Sequence, residues 1–134
     1  MFFFLSLEEI SRLVDMKKKV VLVQDNKDIL EIMDQVLDDE GFEVTSSLTT
    51  EPIEKIDEIE PDVVVIDDHI KGTKKGSKII KELKSNPETE DISAILTSTS
   101  NELPQIAEES KADDFIQKPF DIEHMVDVVK KNAE

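Results

Sequence analysis

Two stretches of this chain, Val20–Val23 and Val63–Ile66, are apolar at every position. An antiparallel strand with one wet face alternates apolar and polar side chains, whereas a strand covered on both faces reads as an unbroken run. Both-face burial belongs to parallel sheets, whose crossovers need helices lying on either side. The residues between the runs supply those helices. Asn26 is placed to cap a first helix whose Ile29, Ile32, Met33, Val36 and Leu37 share one face, and Gly41 stops it where a positive φ is cheap. Phe42–Ser46 reads as a second, weaker strand. Thr50 and Pro52 open a second helix with Ile53, Ile56 and Ile59 as its stripe.

Beyond the third strand, Lys71–Lys75 is a loop around Gly72, and a helix from Ser77 to Lys84 buries Ile79, Ile80 and Leu83 before Asn86-Pro87 breaks it. Ile92–Thr97 is the fourth strand. Asn101–Ser110 is a short helix with Pro104 in its first turn, and Phe115-Ile116 lies in a fifth strand. Asp121 then caps a last helix that turns Ile122, Met125, Val126 and Val129 inward. The pattern predicts an α/β fold, doubly wound (βα)5, with a five-stranded parallel sheet in the order 2-1-3-4-5.

Composition narrows the partners. The 134 residues fit one domain, and 32 Asp+Glu against 16 Lys+Arg leave a net charge of −16. So acidic a surface repels phosphate backbones, which argues against direct nucleic-acid binding. No apolar run approaches the roughly 20 residues of a membrane span. Phe2-Phe3-Phe4-Leu5 is too short for a signal peptide and has no basic flank before it. There is no Cys, hence no disulfide or thiolate site, and the cytoplasm is the default compartment. Residues 1–16 stand outside the repeating pattern, which occupies 17–134. Within them Ser6-x-x-Glu9 is a capping box, and Ile10, Leu13 and Val14 give a short amphipathic helix. That segment is either a docking or dimerising helix, or incidental, with Met16 as the physiological start.

In an open parallel sheet, ligands bind beyond the carboxyl ends of the strands. The residues there are Gln24-Asp25 after strand one, Asp67-Asp68 after strand three, Thr97-Ser98 at the end of strand four and Gln117-Lys118-Pro119 after strand five. Strand two adds nothing comparable, which suits an edge. Convergent carboxylates repel without a counter-charge, so the cluster implies Mg2+, a cation that prefers oxygen ligands. A phosphoryl group arriving there meets metal, ammonium and hydroxyl, which is most of what phosphoryl transfer asks of a protein. Consecutive strand residues face opposite ways, so only one of Asp67 and Asp68 joins the cluster. Asp67 follows the Val63–Ile66 run directly, and putting Asp68 in its place would need a bulge inside that unbroken run.

Val23-Gln24-Asp25, Pro61–Asp67, Ser98 and Ala112-Asp113-Asp114-Phe115-Ile116-Gln117-Lys118-Pro119-Phe120, in this order and spacing, resemble the receiver domain of two-component response regulators, across about residues 19–131. The resemblance implies a flavodoxin-like receiver fold with Asp67 as phosphoacceptor. It implies Mg2+ (or Mn2+) held by Asp25, Asp67 and the His69 backbone carbonyl, with Gln24 reaching it weakly through water. Ser98 becomes the switch hydroxyl, Phe115 its aromatic partner and Lys118 the phosphoryl contact, and the Lys118–Pro119 bond is expected cis. The implied protein is not an enzyme, though its phosphate can hydrolyse slowly. It takes its phosphoryl group from a histidine kinase or histidine phosphotransfer protein. With no effector domain in these 134 residues, its output passes through a downstream protein, and self-association through the last two helices and fifth strand is open to it.

The chain departs from that pattern in places. Gln24 replaces the first of the usual acidic pair, and the loop from Asp67 to Gly76 is about one residue longer than usual, with Lys71 where Pro is common. Counting forward from Pro61, the family's spacing puts the acceptor at Asp67; counting back from Gly76, it falls at Asp68. The polar loop Ile70–Lys75 absorbs the extra residue more easily than the strand. Lys111 stands where Gly is typical, and the segment between Ser98 and Lys118 is about two residues short. These departures support a second reading, a degenerate receiver that binds partners without phosphorylation. A third reading, a flavin or small-molecule enzyme on the same sheet, lacks a phosphate-cradling loop after strand one and has no Trp or Tyr to stack on a flavin.

Overall fold

The computed structural model describes residues 4–10, 17–72 and 74–134. Strands β1 (Lys19–Val23), β2 (Glu43–Ser47), β3 (Val63–Asp67), β4 (Ser93–Ser98) and β5 (Asp114–Gln117) form one parallel sheet ordered β2-β1-β3-β4-β5. Around it lie α1 (Lys27–Asp39), α2 (Glu51–Glu54), α3 (Ile56–Ile59), α4 (Gly76–Ser85), α5 (Leu103–Ser110) and α6 (Ile122–Asn132). Alternate residues of the central strands feed two separate cores, because successive side chains point to opposite faces. Val20, Leu22, Val63, Val65, Ile95 and Ile116 pack with α1 and α6. Val21, Val23, Val64, Ile66, Ala94 and Leu96 pack with α3, α4 and α5. This two-sided burial is why Val20–Val23 and Val63–Ile66 are apolar at every position.

Local chemistry sets the helix ends. Asn26 Oδ1 accepts from the Ile29 N–H at 3.1 Å, and Asp121 Oδ1 from the His124 N–H at 2.7 Å, each satisfying a donor the helix leaves free. Gly41 follows α1 at φ 96. Two of the expected apolar stripes need correction. In α1 the buried residues are Leu30, Met33 and Leu37, while Ile32 is 51% exposed. At 100° per residue Ile32 lies about 130° around the helix from the centre of that stripe. In α6 Val128 is buried, and Ile122, in the first turn, instead shares a surface recess with Ile29, Ile32 and Phe120.

The expected second helix is two single turns, α2 and α3, interrupted at Lys55. Isoleucines every three residues drift by about 60° per step on a regular helix, and with the break at Lys55 Ile56 is buried while Ile53 and Ile59 pack, partly buried, against the same core. In the N-terminal extension, residues 7–10 form one helical turn, with the Glu9 N–H donating to Ser6 Oγ at 3.1 Å. Leu13, Val14 and Met16 lie outside the described residues. No helix among the described residues is long and apolar enough to cross a membrane.

Candidate functional site

Gln24, Asp67, Thr97 and Lys118 each stand two residues beyond a core residue of the α1/α6 face, namely Leu22, Val65, Ile95 and Ile116. The period of two therefore turns all four side chains to one side of the sheet, at the carboxyl ends of its strands. Asp67 is directly opposite Thr97 in the β3–β4 register.

These side chains close a ring of hydrogen bonds. Lys118 Nζ lies 2.6 Å from Asp67 Oδ1 and donates to Gln24 Oε1 at 3.3 Å. Gln24 Nε2 donates to Thr97 Oγ1 at 3.1 Å, and the Thr97 hydroxyl donates to Asp67 Oδ1 at 2.8 Å. Asp67 Oδ2 accepts from the backbone N–H of His69 at 3.0 Å. Gln24 and Thr97 are fully buried and Asp67 is 2% exposed. An ion pair this deep loses its hydration, and only complete hydrogen bonding compensates for that loss. Among the described residues no buried side-chain nitrogen or oxygen lacks a partner.

Asp68 faces the other way. Its Oδ1 accepts from the Ser77 N–H at 2.9 Å and its carbonyl from the Gly76 N–H at 3.2 Å. It thus satisfies the start of α4, whose N-cap residue Lys75 makes no side-chain capping bond. Gly76 lets α4 come this close. A Cβ there would collide with the Asp67 carbonyl oxygen and lie 2.8 Å from the Asp67 carbonyl carbon.

A cavity of about 420 Å³ opens over Asp67, with Asp25, His69, Ser98 and Lys118 among its walls. Asp25 is exposed at the rim. Carboxylates are hard oxygen donors, and Mg2+ takes one or two of them and keeps several waters, so Asp25 and Asp67 at this cavity fit that ion. Gln24 is not in the cavity wall. Its amide, expected beside a metal-bound water, is spent on Thr97 and Lys118. Ser98 Oγ accepts from the Ser100 N–H at 3.0 Å, while its carbonyl accepts from the Lys118 N–H at 2.8 Å and so ties β4 to the end of β5. Phe115 packs, partly buried, against the core on the α4/α5 side. The Lys118–Pro119 bond is cis. Thr97 and Gly76 are the residues that sequence reasoning left without a role.

A sequence profile described as the response regulator receiver domain matches residues 20–130. The chain belongs to this family, the receiver modules of two-component signalling. Solved structures agree in fold. The chemotaxis response regulator CheY4 of Vibrio cholerae superimposes with a TM-score of 0.77 at 22% identity, over 87% of this chain and 99% of that one. A CheY-like receiver domain protein of Methanospirillum hungatei gives 0.77 at 22% identity, over 87% and 94%. The BeF3-activated receiver domain of DrrB, from Thermotoga maritima, gives 0.75 at 28% identity, over 87% and 97%.

Proposed function

We propose that this domain is a phosphorylation-dependent switch in which Asp67 accepts a phosphoryl group from a histidine kinase or histidine phosphotransfer protein and passes the signal to a downstream protein. One observation carries the reading. A buried carboxylate at the end of the central strand, 2.6 Å from the Lys118 ammonium, lies in the wall of a cavity that Asp25 also lines. Lys118 balances the Asp67 charge and stands where phosphoryl oxygens would arrive. Ser98, on the same wall, offers them a hydroxyl. Mg2+ or Mn2+ would be held by Asp25, Asp67 and the His69 carbonyl, and when bound supplies positive charge against the phosphoryl oxygens. Self-association through α5, β5 and α6 is part of the proposal. The BeF3-activated DrrB domain, at 28% identity, supports the phosphoacceptor role by likeness, since beryllofluoride is a chemical stand-in for a phosphoryl group.

A second reading, partner binding without phosphorylation, draws on Gln24. A neutral amide held in the ring leaves Asp25 and Asp67 as the carboxylates beside the cavity. Incubation with Mg2+ and acetyl phosphate, read by intact mass, separates the two. The wild type should gain one phosphoryl mass and Asp67→Asn none. A wild type that stays unlabelled at high Mg2+ favours the binding module, and a label that persists in Asp67→Asn moves the acceptor elsewhere.

A further inference from the structure

A carboxylate oxygen has two in-plane lone-pair directions. At Asp67 Oδ1 both are taken, by Lys118 Nζ at 2.6 Å and Thr97 Oγ1 at 2.8 Å, whereas among the described residues Oδ2 accepts from the His69 N–H at 3.0 Å and from no other donor. Oδ2 is therefore the oxygen with a lone pair left for phosphorus, and Oδ1 becomes the carbonyl oxygen of the aspartyl phosphate; as Lys118 turns to the arriving phosphoryl oxygens, the direction it held at Oδ1 is the one open to the metal. The direction of the Thr97 proton is also determined. Lys118 donates to Gln24 Oε1, which orients the amide so that Nε2 donates into Thr97 Oγ1. The hydroxyl must then send its own proton on, and Asp67 Oδ1 at 2.8 Å is nearer than Gln24 Oε1 at 3.4 Å. A carboxylate at position 24 could only accept, and would compete for that proton. The amide makes Thr97 a committed donor.

We infer that Thr97 shortens the lifetime of the aspartyl phosphate, by donating to the Asp67 oxygen on which negative charge reappears as the phosphoryl group leaves. The inference rests on the reading of Asp67 as phosphoacceptor. In the hydrolytic step a water oxygen bonds to phosphorus and the P–Oδ2 bond breaks. Its electron pair returns to the carboxylate, where it is shared with Oδ1, and the water proton passes to solvent. The products are inorganic phosphate and the Asp67 carboxylate. Thr97 is a positioned donor to that returning charge, in a site where both it and Gln24 are fully buried.

The test is the decay of the label. Wild type, Thr97→Val and Thr97→Ser are labelled with acetyl phosphate in Mg2+ buffer, freed of donor by desalting, and followed by intact mass. Removing a full oxyanion donor costs a hundredfold or more, but here the charge is shared over a carboxylate, so Thr97→Val should lengthen the half-life about tenfold and Thr97→Ser should stay within about twofold of wild type. The sign separates this role from mere packing, because a loosened site admits water and shortens the half-life. Thr97→Val also leaves Gln24 Nε2 without an acceptor. If that variant does not fold, Thr97→Val with Gln24→Met removes both polar partners together and should show the same long lifetime. A folded valine variant that decays as fast as wild type, or faster, overturns the role of Thr97 alone. A wild type with no label at time zero overturns the phosphoacceptor reading, and the role of Thr97 with it.

Discussion

A methyl group at position 76 has nowhere to go. It would meet the carbonyl oxygen of Asp67 and sit 3.1 Å from Asp68 Cα, and both are backbone atoms of the central strand's exit. Gly76→Ala should therefore cost about 1–3 kcal/mol in urea unfolding and lower the yield of phosphoryl label, because the strain falls on the acceptor's own peptide. An unchanged midpoint and yield would show that the loop yields freely. Other features of the site were legible in the residues. The opposite facing of Asp67 and Asp68 followed from the unbroken Val63–Ile66 run and the period of two, and the structure turns the two carboxylates to opposite faces. The same counting from Ile95 would have put Thr97 on the Asp67 side, but the family resemblance drew attention to its neighbour Ser98. The Gln24 amide was not legible. Its partners Thr97 and Lys118 lie 73 and 94 residues away, and no local pattern records such a pairing.

At the scale of elements, the end of α5 carries avoidable strain. Lys111 caps it in the left-handed region, φ 65 and ψ 29, where Ala112 N–H returns to the Ala107 carbonyl at 2.9 Å. A side chain there costs about 1–2 kcal/mol that glycine does not. Glycine gives part of this back through its freer unfolded chain, so Lys111→Gly should raise stability by about 0.5–1 kcal/mol. The reading is a higher urea midpoint with an unchanged slope, and a lower midpoint would mean that the lysine side chain contributes more than its backbone costs. β1 and β3 were legible because burial on both faces leaves an unbroken apolar run, whereas the edge strand β2, mostly polar and half-buried, leaves a weaker one. The helices were legible in position but less so in their faces. α1 offers two overlapping apolar stripes, and only packing on the sheet selects Leu30, Met33 and Leu37 over Ile32. The break between α2 and α3 has no proline or glycine at Lys55 to announce it.

For the whole molecule the governing quantity is the net charge of −16. Self-repulsion opposes the compact state and is screened within about 10 Å at 0.1 M salt, so sodium chloride should raise the melting temperature gradually. Mg2+ should add a further increment at matched ionic strength, about 2.7 kcal/mol at a hundredfold excess over its dissociation constant, and Asp25→Ala should remove that increment. Equal Mg2+ increments in wild type and Asp25→Ala would remove Asp25 from the metal site. The central claim is narrower, that the phosphoryl group lands on Asp67. Borohydride reduces an aspartyl phosphate to homoserine and leaves free carboxylates untouched, so labelled protein can be reduced, digested and sequenced by mass spectrometry. Homoserine is expected at position 67 and intact aspartate at 68. Homoserine at 68, or at neither position in protein that carries the phosphoryl mass, would contradict it.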